Sequence, residues 1–246
     1  MSAAAIFAKE LRAYFTSMLA YVVLSIFLVL SGYYFYTNLV FFVLMGGMDL
    51  PRGLWQYQFH DTRQILLFVI PFLTMRLFAE EKKLGTIELL WTYPVRDGAL
   101  MLGKYAACLA VISLMLALTV VYPLLLARVY PVAAGPLVAG YVGLFLLAAA
   151  FAACGLWASS LTDSQLVAGT VTLGMLLFLW ILTWNQAAAN EWLIALLTPV
   201  SLFDRFHTFA RGAIDVKDVV FLIVSSVFFL ALTLFTLESR RWRGLK

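Results

Sequence analysis

Charge is what this chain has least of. Asp, Glu, Lys and Arg make up 12% of its 246 residues, about half the roughly 25% of an ordinary soluble domain. There are two cysteines, Cys108 and Cys154, and both fall inside apolar runs. They read as small packing residues, and nothing in their placement supports a disulfide framework or a thiolate metal site. There are two histidines, His60 and His207, both in predicted loops, and there is no HExxH. Carboxylates and imidazoles are missing from the central parts of the apolar runs. That argues against ion-coupled transport, proton pumping and intramembrane proteolysis, which place such groups at membrane depth. The net charge of +4 is scattered rather than clustered and points to no nucleic acid.

What is present is hydrocarbon. The chain is 64% hydrophobic with a mean hydropathy of +0.96. Several apolar runs exceed the roughly 20 residues a helix needs to cross a bilayer. The fold class expected is an all-α polytopic membrane protein, a single transmembrane domain over 1–246. Spans are expected at about 18–44, 64–79, 100–128, 137–161, 166–184 and 219–237. The first run is far longer than the core of a cleavable signal. Pro71 is expected to kink the second span. Residues 2–16 form a helix with Phe7, Leu11, Tyr14 and Phe15 on one face and Lys9, Arg12 and Thr16 on another. It either lies in the membrane interface or extends the first span. Residues 45–63 read as a polar loop, unless the second span begins earlier, at Trp55, and 162–165 as a tight turn. Segment 185–218 holds a piece too short to span, 191–197, then a short helix from Ser201 to Arg211 stopped by Gly212.

Six spans put both termini on one side of the membrane. With that side cytoplasmic, Lys9, Arg12, Arg76, Lys82, Lys83, Arg96, Lys104, Arg240, Arg241, Arg243 and Lys246 are inside. Arg52, Arg63, Arg128, Arg205, Arg211 and Lys217 are outside. The excess of basic residues inside fits this orientation.

The one strongly charged interruption lies between spans two and three, EEKKLGTIELLWTYP over 80–94. Leu84, Ile87 and Trp91 fall at helical spacing, Gly85 is a break, and Thr86 can cap a second helix after it. Such a segment is either an ordinary charged loop or a rigid element on which a soluble partner can push. Just after it, Gly98 to Lys104 has the spacing of a phosphate-binding loop. Tyr105 stands where Ser or Thr should hold magnesium, and no strand precedes it, so it is no nucleotide site. Gly103 suits close helix packing, and Lys104 marks the membrane interface. On the outer side, His60-Asp61 and Asp204 with His207 are solvated loop residues or, less simply, ligands of a metal. Asn38, Thr119 and Thr183 stand alone in their spans and read as helix-packing residues.

The pattern Glu80-Glu81-x-x-x-Gly85-Thr86-x-Glu88-Leu89-Leu90-x-x-x-Pro94-Val95, with Leu102-Gly103-Lys104 after it, resembles type-2 ABC exporter permeases. The length, span layout and N-terminal helix resemble them too. Residues 201–218 (Ser201-Leu202-Phe203-Asp204-Arg205-Phe206-His207 onward) resemble the gliding-motility-associated branch. The resemblance implies that 80–94 is a coupling helix docking on a separate ABC ATPase, through Glu80, Glu81, Gly85, Thr86, Glu88 and Pro94. It implies an outer gate or re-entrant region containing Asp204, Arg205, His207, Arg211 and Gly212. A second permease copy or a homologue would complete the dimer in the lipid bilayer. ATP and magnesium would be bound by the partner, and this chain would hold no cofactor, no metal and no catalytic residue. A polytopic scaffold or assembly factor that transports nothing is the alternative, and a lipid-modifying enzyme a third class.

Overall fold

The computed structural model describes residues 3–44, 50–85, 97–130, 132–184 and 201–243. Among the described residues every regular element is a helix, with no strand. The order is α1 (Ala3–Thr16), α2 (Met18–Leu44), α3 (Leu50–Thr74), α4 (Arg76–Lys83), α5 (Asp97–Thr119), α6 (Val121–Leu126), α7 (Ala134–Leu161), α8 (Gln165–Trp184), α9 (Leu202–Ala210) and α10 (Val216–Arg243). Five segments are long and apolar enough to cross a membrane: Met18–Leu44, Gly53–Lys83, Asp97–Leu126, Ala134–Leu161 and Val216–Ser239. Gln165–Ile181 is a shorter apolar helix. The protein is a multi-pass membrane protein.

α7 is the axis of the bundle and touches α3, α4, α5, α8, α9 and α10. Its sequence explains this. Helices in lipid gain little from hydrophobic burial against one another, so close approach depends on small side chains. From Ala148 to Ser160, α7 is mostly Ala, Gly, Ser and Cys, and all but Trp157 are buried. A Cβ on Gly143 would lie 2.4 Å from the Cβ of Phe209, and one on Gly155 2.2 Å from Thr74 Oγ1. Neither neighbour is the loose end of a long side chain. Gly143→Ala is therefore expected to cost about 1–3 kcal/mol and to displace α9. Denaturation in detergent, with cross-linking of α9 to α7, reads both effects.

By contrast, only 17% of α2's apolar window and 11% of α10's are buried inside the protein, against 72% for Gly53–Lys83. α2 and α10 turn most of their apolar surface outward. Cys108 and Cys154 are buried free thiols, as packing residues should be.

The reading of 45–63 as a loop is corrected from residue 50 onward. α3 begins at Leu50 and carries Gln58, His60, Asp61 and Arg63 as helical residues. Partners on neighbouring helices make this possible. Gln58 donates to Ser31 O (3.3 Å), Asn38 to Asp61 Oδ2 (2.7 Å), and Arg63 to Phe203 O (3.2 Å). Asn38 is thus not the isolated packing residue the sequence suggests. Thr119 likewise pairs with Tyr141 at 3.1 Å.

Candidate functional site

α4 carries Glu80 and Glu81 and stops where glycine permits. Leu84 N–H reaches Glu80 O (3.0 Å), Gly85 N–H reaches Lys82 O (3.1 Å), and Gly85 has φ +67°. Only glycine takes that left-handed turn without strain. Thr86, Glu88 and Pro94, with most of the amphipathic segment, lie outside the described residues.

α4 is held from two sides. On the first, Lys104 of α5 is 1% exposed. Its ammonium lies 2.8 Å from Glu10 Oε1 of α1 and 3.0 Å from Glu81 Oε2 of α4. Lys9 meets Glu81 Oε1 at 3.2 Å, and the Phe78 ring lies 5.4 Å from the Lys104 ammonium. Two cations and two carboxylates from three helices form one network. Burying a lone ammonium costs several kcal/mol, and only close carboxylates repay it. Lys104 is therefore the buried hub of this network. Glu81 faces inward to it, while Glu80 is partly exposed. Next to the hub, Ile6 of α1 lies against Gly103, where a Cβ would come within 2.8 Å.

On the second side, Lys82 Nζ donates to Ser160 O. That carbonyl belongs to the last turn of α7, where backbone groups lack intrahelical partners and the helix dipole favours a cation. Beside it, Lys83 and the α7–α8 turn, Asp163 to Leu166, border a cavity of about 430 Å³. Leu84 and Leu166 stand exposed at this end, at 68% and 78%.

The junction between α3 and α4, at Met75, is also built from outside. Tyr14 of α1 donates to Leu73 O (2.8 Å). Ser159 of α7 accepts from Phe78 N–H (3.0 Å) and Ala79 N–H (3.1 Å) and donates to Met75 O (3.0 Å). Burial pushes the Tyr14 phenol well above its ordinary value, so it stays a donor at any working pH. The Arg76 guanidinium lies 4.4 Å from its ring centroid. Sequence reasoning places Tyr14 only on an apolar face and misses Ser159. The signal for the latter is the Gly155-x-x-x-Ser159 spacing, which lets a helix approach closely.

The opposite end of α3 carries α9. Ser201 caps it, accepting from Asp204 N–H at 3.1 Å. Gly212 closes it with φ +85°, with Gly212 N–H to Phe209 O (2.9 Å) and Ala213 N–H to Thr208 O (3.2 Å). Arg63 of α3 anchors it, with its guanidinium 5.1 Å and 5.7 Å from the rings of Phe203 and Phe206. Arg205 pairs with buried Asp218 of α10 at 3.1 Å, and Arg211 is exposed at the C-cap. His60 and His207 are both helical, correcting their assignment to loops, and their rings lie 5.2 Å apart, edge to face. Among the described residues no group of three or more His, Cys, Asp or Glu could hold a metal. The short piece 191–197 lies outside the described residues.

The family model described as ABC-2 family transporter protein matches residues 65–235. No curated protein matches the chain. The matched segment runs from mid-α3 to late α10 and so includes α4, Lys104, Ser159 and α9.

Proposed function

Since the chain belongs to the ABC-2 family of transporter proteins, we propose that it is the membrane-spanning subunit of an ABC exporter whose ATPase docks on segment 80–94. Six spans, with α8 as the fifth, place both termini in the cytoplasm and α9 on the outer side of a bacterial-type cytoplasmic membrane. α1 then lies at the cytoplasmic interface. A second copy of this chain or a homologue completes the dimer. We read residues 201–218 as most like the gliding-motility-associated permeases.

The observation that carries this reading is the double fixation of α4. An element that receives a push must not yield locally. α4 is tied to α1 and α5 through Glu81 and to the end of α7 through Lys82, so its displacement moves three helices together. The coupling residues then divide their work. Glu81 and Gly85 set the position and end of α4. Glu80, with Thr86, Glu88 and Pro94 beyond it, meets the partner.

The test is capture of the full-length chain from its native membrane in a mild detergent, with mass spectrometry of the proteins that come with it. A stoichiometric soluble ATPase is expected with the wild type. At least a tenfold loss is expected with Glu88→Arg, which sets a like charge against whatever cation receives Glu88. Size-exclusion behaviour identical to wild type would show that the variant is folded. Capture of no ATPase with the intact chain returns the scaffold reading.

A further inference from the structure

α2 and α3 leave a furrow between them. The two helices run antiparallel, with Phe42 of α2 beside Gly53 of α3, so residues 34 and 64 share one end of the furrow and residues 23 and 72 the other. Hydrogen bonds from Gln58 to Ser31 O and from Asn38 to Asp61 Oδ2 tie the pair together and fix the gap. The floor is Val23, Ile65 and Val69, all buried. The rims are Ile26 and Leu30 on α2 and Phe68 and Phe72 on α3, all exposed. The space is about 240 Å³. From residue 23 to residue 34 the furrow follows roughly 17 Å of helix. One leaflet contributes roughly 15 Å of hydrocarbon, half of a core of about 30 Å. A helix of that length, about 10–12 Å across with its side chains, would fill roughly 1,500 Å³. The furrow is therefore the width of an extended chain, too narrow for a helix from a second copy.

The lining turns polar at one end only. Tyr34 and Gln64 bring a hydroxyl and an amide there. Among the described residues neither side chain has a hydrogen-bond partner. Hydrocarbon tails satisfy neither group. The ester carbonyls at the head of a lipid chain accept from both.

We propose that the furrow between α2 and α3 is a lipid site, in which one acyl chain of a phospholipid lies on Val23, Ile65 and Val69 and its ester end meets Tyr34 and Gln64. The chain supplies the dispersion contacts that the floor would otherwise forfeit. The Tyr34 hydroxyl and the Gln64 amide donate to the ester oxygens and set how deep the chain sits. The site needs no ATPase and stands whether or not one docks on 80–94. Only the choice of leaflet, the outer one, rests on the orientation proposed above.

The test reconstitutes the full-length chain, with no ATPase, in nanodiscs of phosphatidylethanolamine and phosphatidylglycerol. A minor share of the phosphatidylethanolamine carries a diazirine on one acyl chain. Illumination is followed by mass spectrometry of the labelled peptides. The reference is the outward face of α10, where Val220, Val224, Val227 and Phe228 are also exposed. Labelling of 23–34 and 64–72 is expected to exceed that of this face about tenfold. A diazirine near the ester should mark the Tyr34 and Gln64 end, and one at the chain terminus the Val23 and Phe72 end. Ile26→Trp lays an indole across the furrow from an exposed rim and is expected to bring its labelling down to the α10 level. Leu30→Trp, on the same rim, stands in should Ile26→Trp fail to assemble. Tyr34→Phe with Gln64→Leu leaves the furrow in place, removes the polar end and is expected to lower the labelling about threefold. Equal labelling of the furrow and α10 in the wild type would mean exchanging bulk lipid only and overturns the site. So does a reversed order of the two diazirines, or labelling that the tryptophan leaves unchanged. Labelling unchanged in the double variant overturns the assignment of the ester end. An unlabelled furrow, with a disulfide forming between two chains through Phe68→Cys in a Cys108→Ala, Cys154→Ala background, would show that a second copy covers it and also overturns the proposal. Failure to capture an ATPase touches none of these readouts.

Discussion

Lys104→Met lowers the stability of this protein by about 3–5 kcal/mol, the expected effect of removing one partner from a buried ionic network. Methionine nearly fills the space of the lysine stem, so the loss is electrostatic rather than a cavity. Glu10 and Glu81, at 12% and 13% side-chain exposure, are left facing each other with only the half-exposed Lys9 between them. Thermal denaturation in detergent should show a midpoint lower by on the order of 10 °C. The sign of the repair is also fixed. Adding Glu10→Gln and Glu81→Gln to Lys104→Met removes the stranded charges and is expected to recover more than half of the loss. A triple variant no more stable than Lys104→Met would show that the lysine stem, not the charge pairing, is what matters. The same single variant should loosen α1, seen as faster proteolysis near Lys9 and Arg12.

Arg63→Ala is the second large effect. The guanidinium of this α3 residue donates to the backbone of α9, and it lies over the rings of Phe203 and Phe206. A charged hydrogen bond contributes about 1.5–3 kcal/mol, and a desolvated cation–π contact up to about 2 kcal/mol. A total of roughly 3 kcal/mol is expected, since these contributions overlap. Arg63→Lys should restore less than half of it. An ammonium cannot lie flat against two rings while donating in the plane. The measurement is the unfolding midpoint together with cross-linking between positions 60 and 207, whose rings touch in the native arrangement. Unchanged cross-linking in Arg63→Ala would mean that the Arg205–Asp218 pair and the packing of Phe209 on Gly143 hold α9 in place without Arg63.

These two residues also show where sequence reading reaches its limit. Runs of apolar residues announce helices from a distance, and α2 begins and ends where hydropathy puts it. Polar residues inside a span are harder, because their cost depends on partners that hydropathy does not record. Arg63 looks like a loop residue in the sequence because its acceptor is a backbone carbonyl 140 positions away. Lys104 looks like an interfacial anchor because Glu10 is 94 positions away. Ser159 is harder still, since what it bonds is backbone, which has no side-chain signature. Gly85 and Gly212 are legible because the signal is local. A chain that must turn left-handed at the end of a helix uses glycine whatever packs around it.

The separation between Glu10 and Lys104 also matters during synthesis. A ribosome adding about 5–20 residues per second needs roughly 5–20 s to go from Glu10 to Lys104. For that time α1 has its acidic residue made but not the lysine that neutralises it, while α2 and α3 are already entering the bilayer. α1 cannot settle into its final place until α5 arrives. α1 is thus made 94 residues before the lysine that pairs its Glu10, and a nascent chain halted before residue 104 lacks that tie.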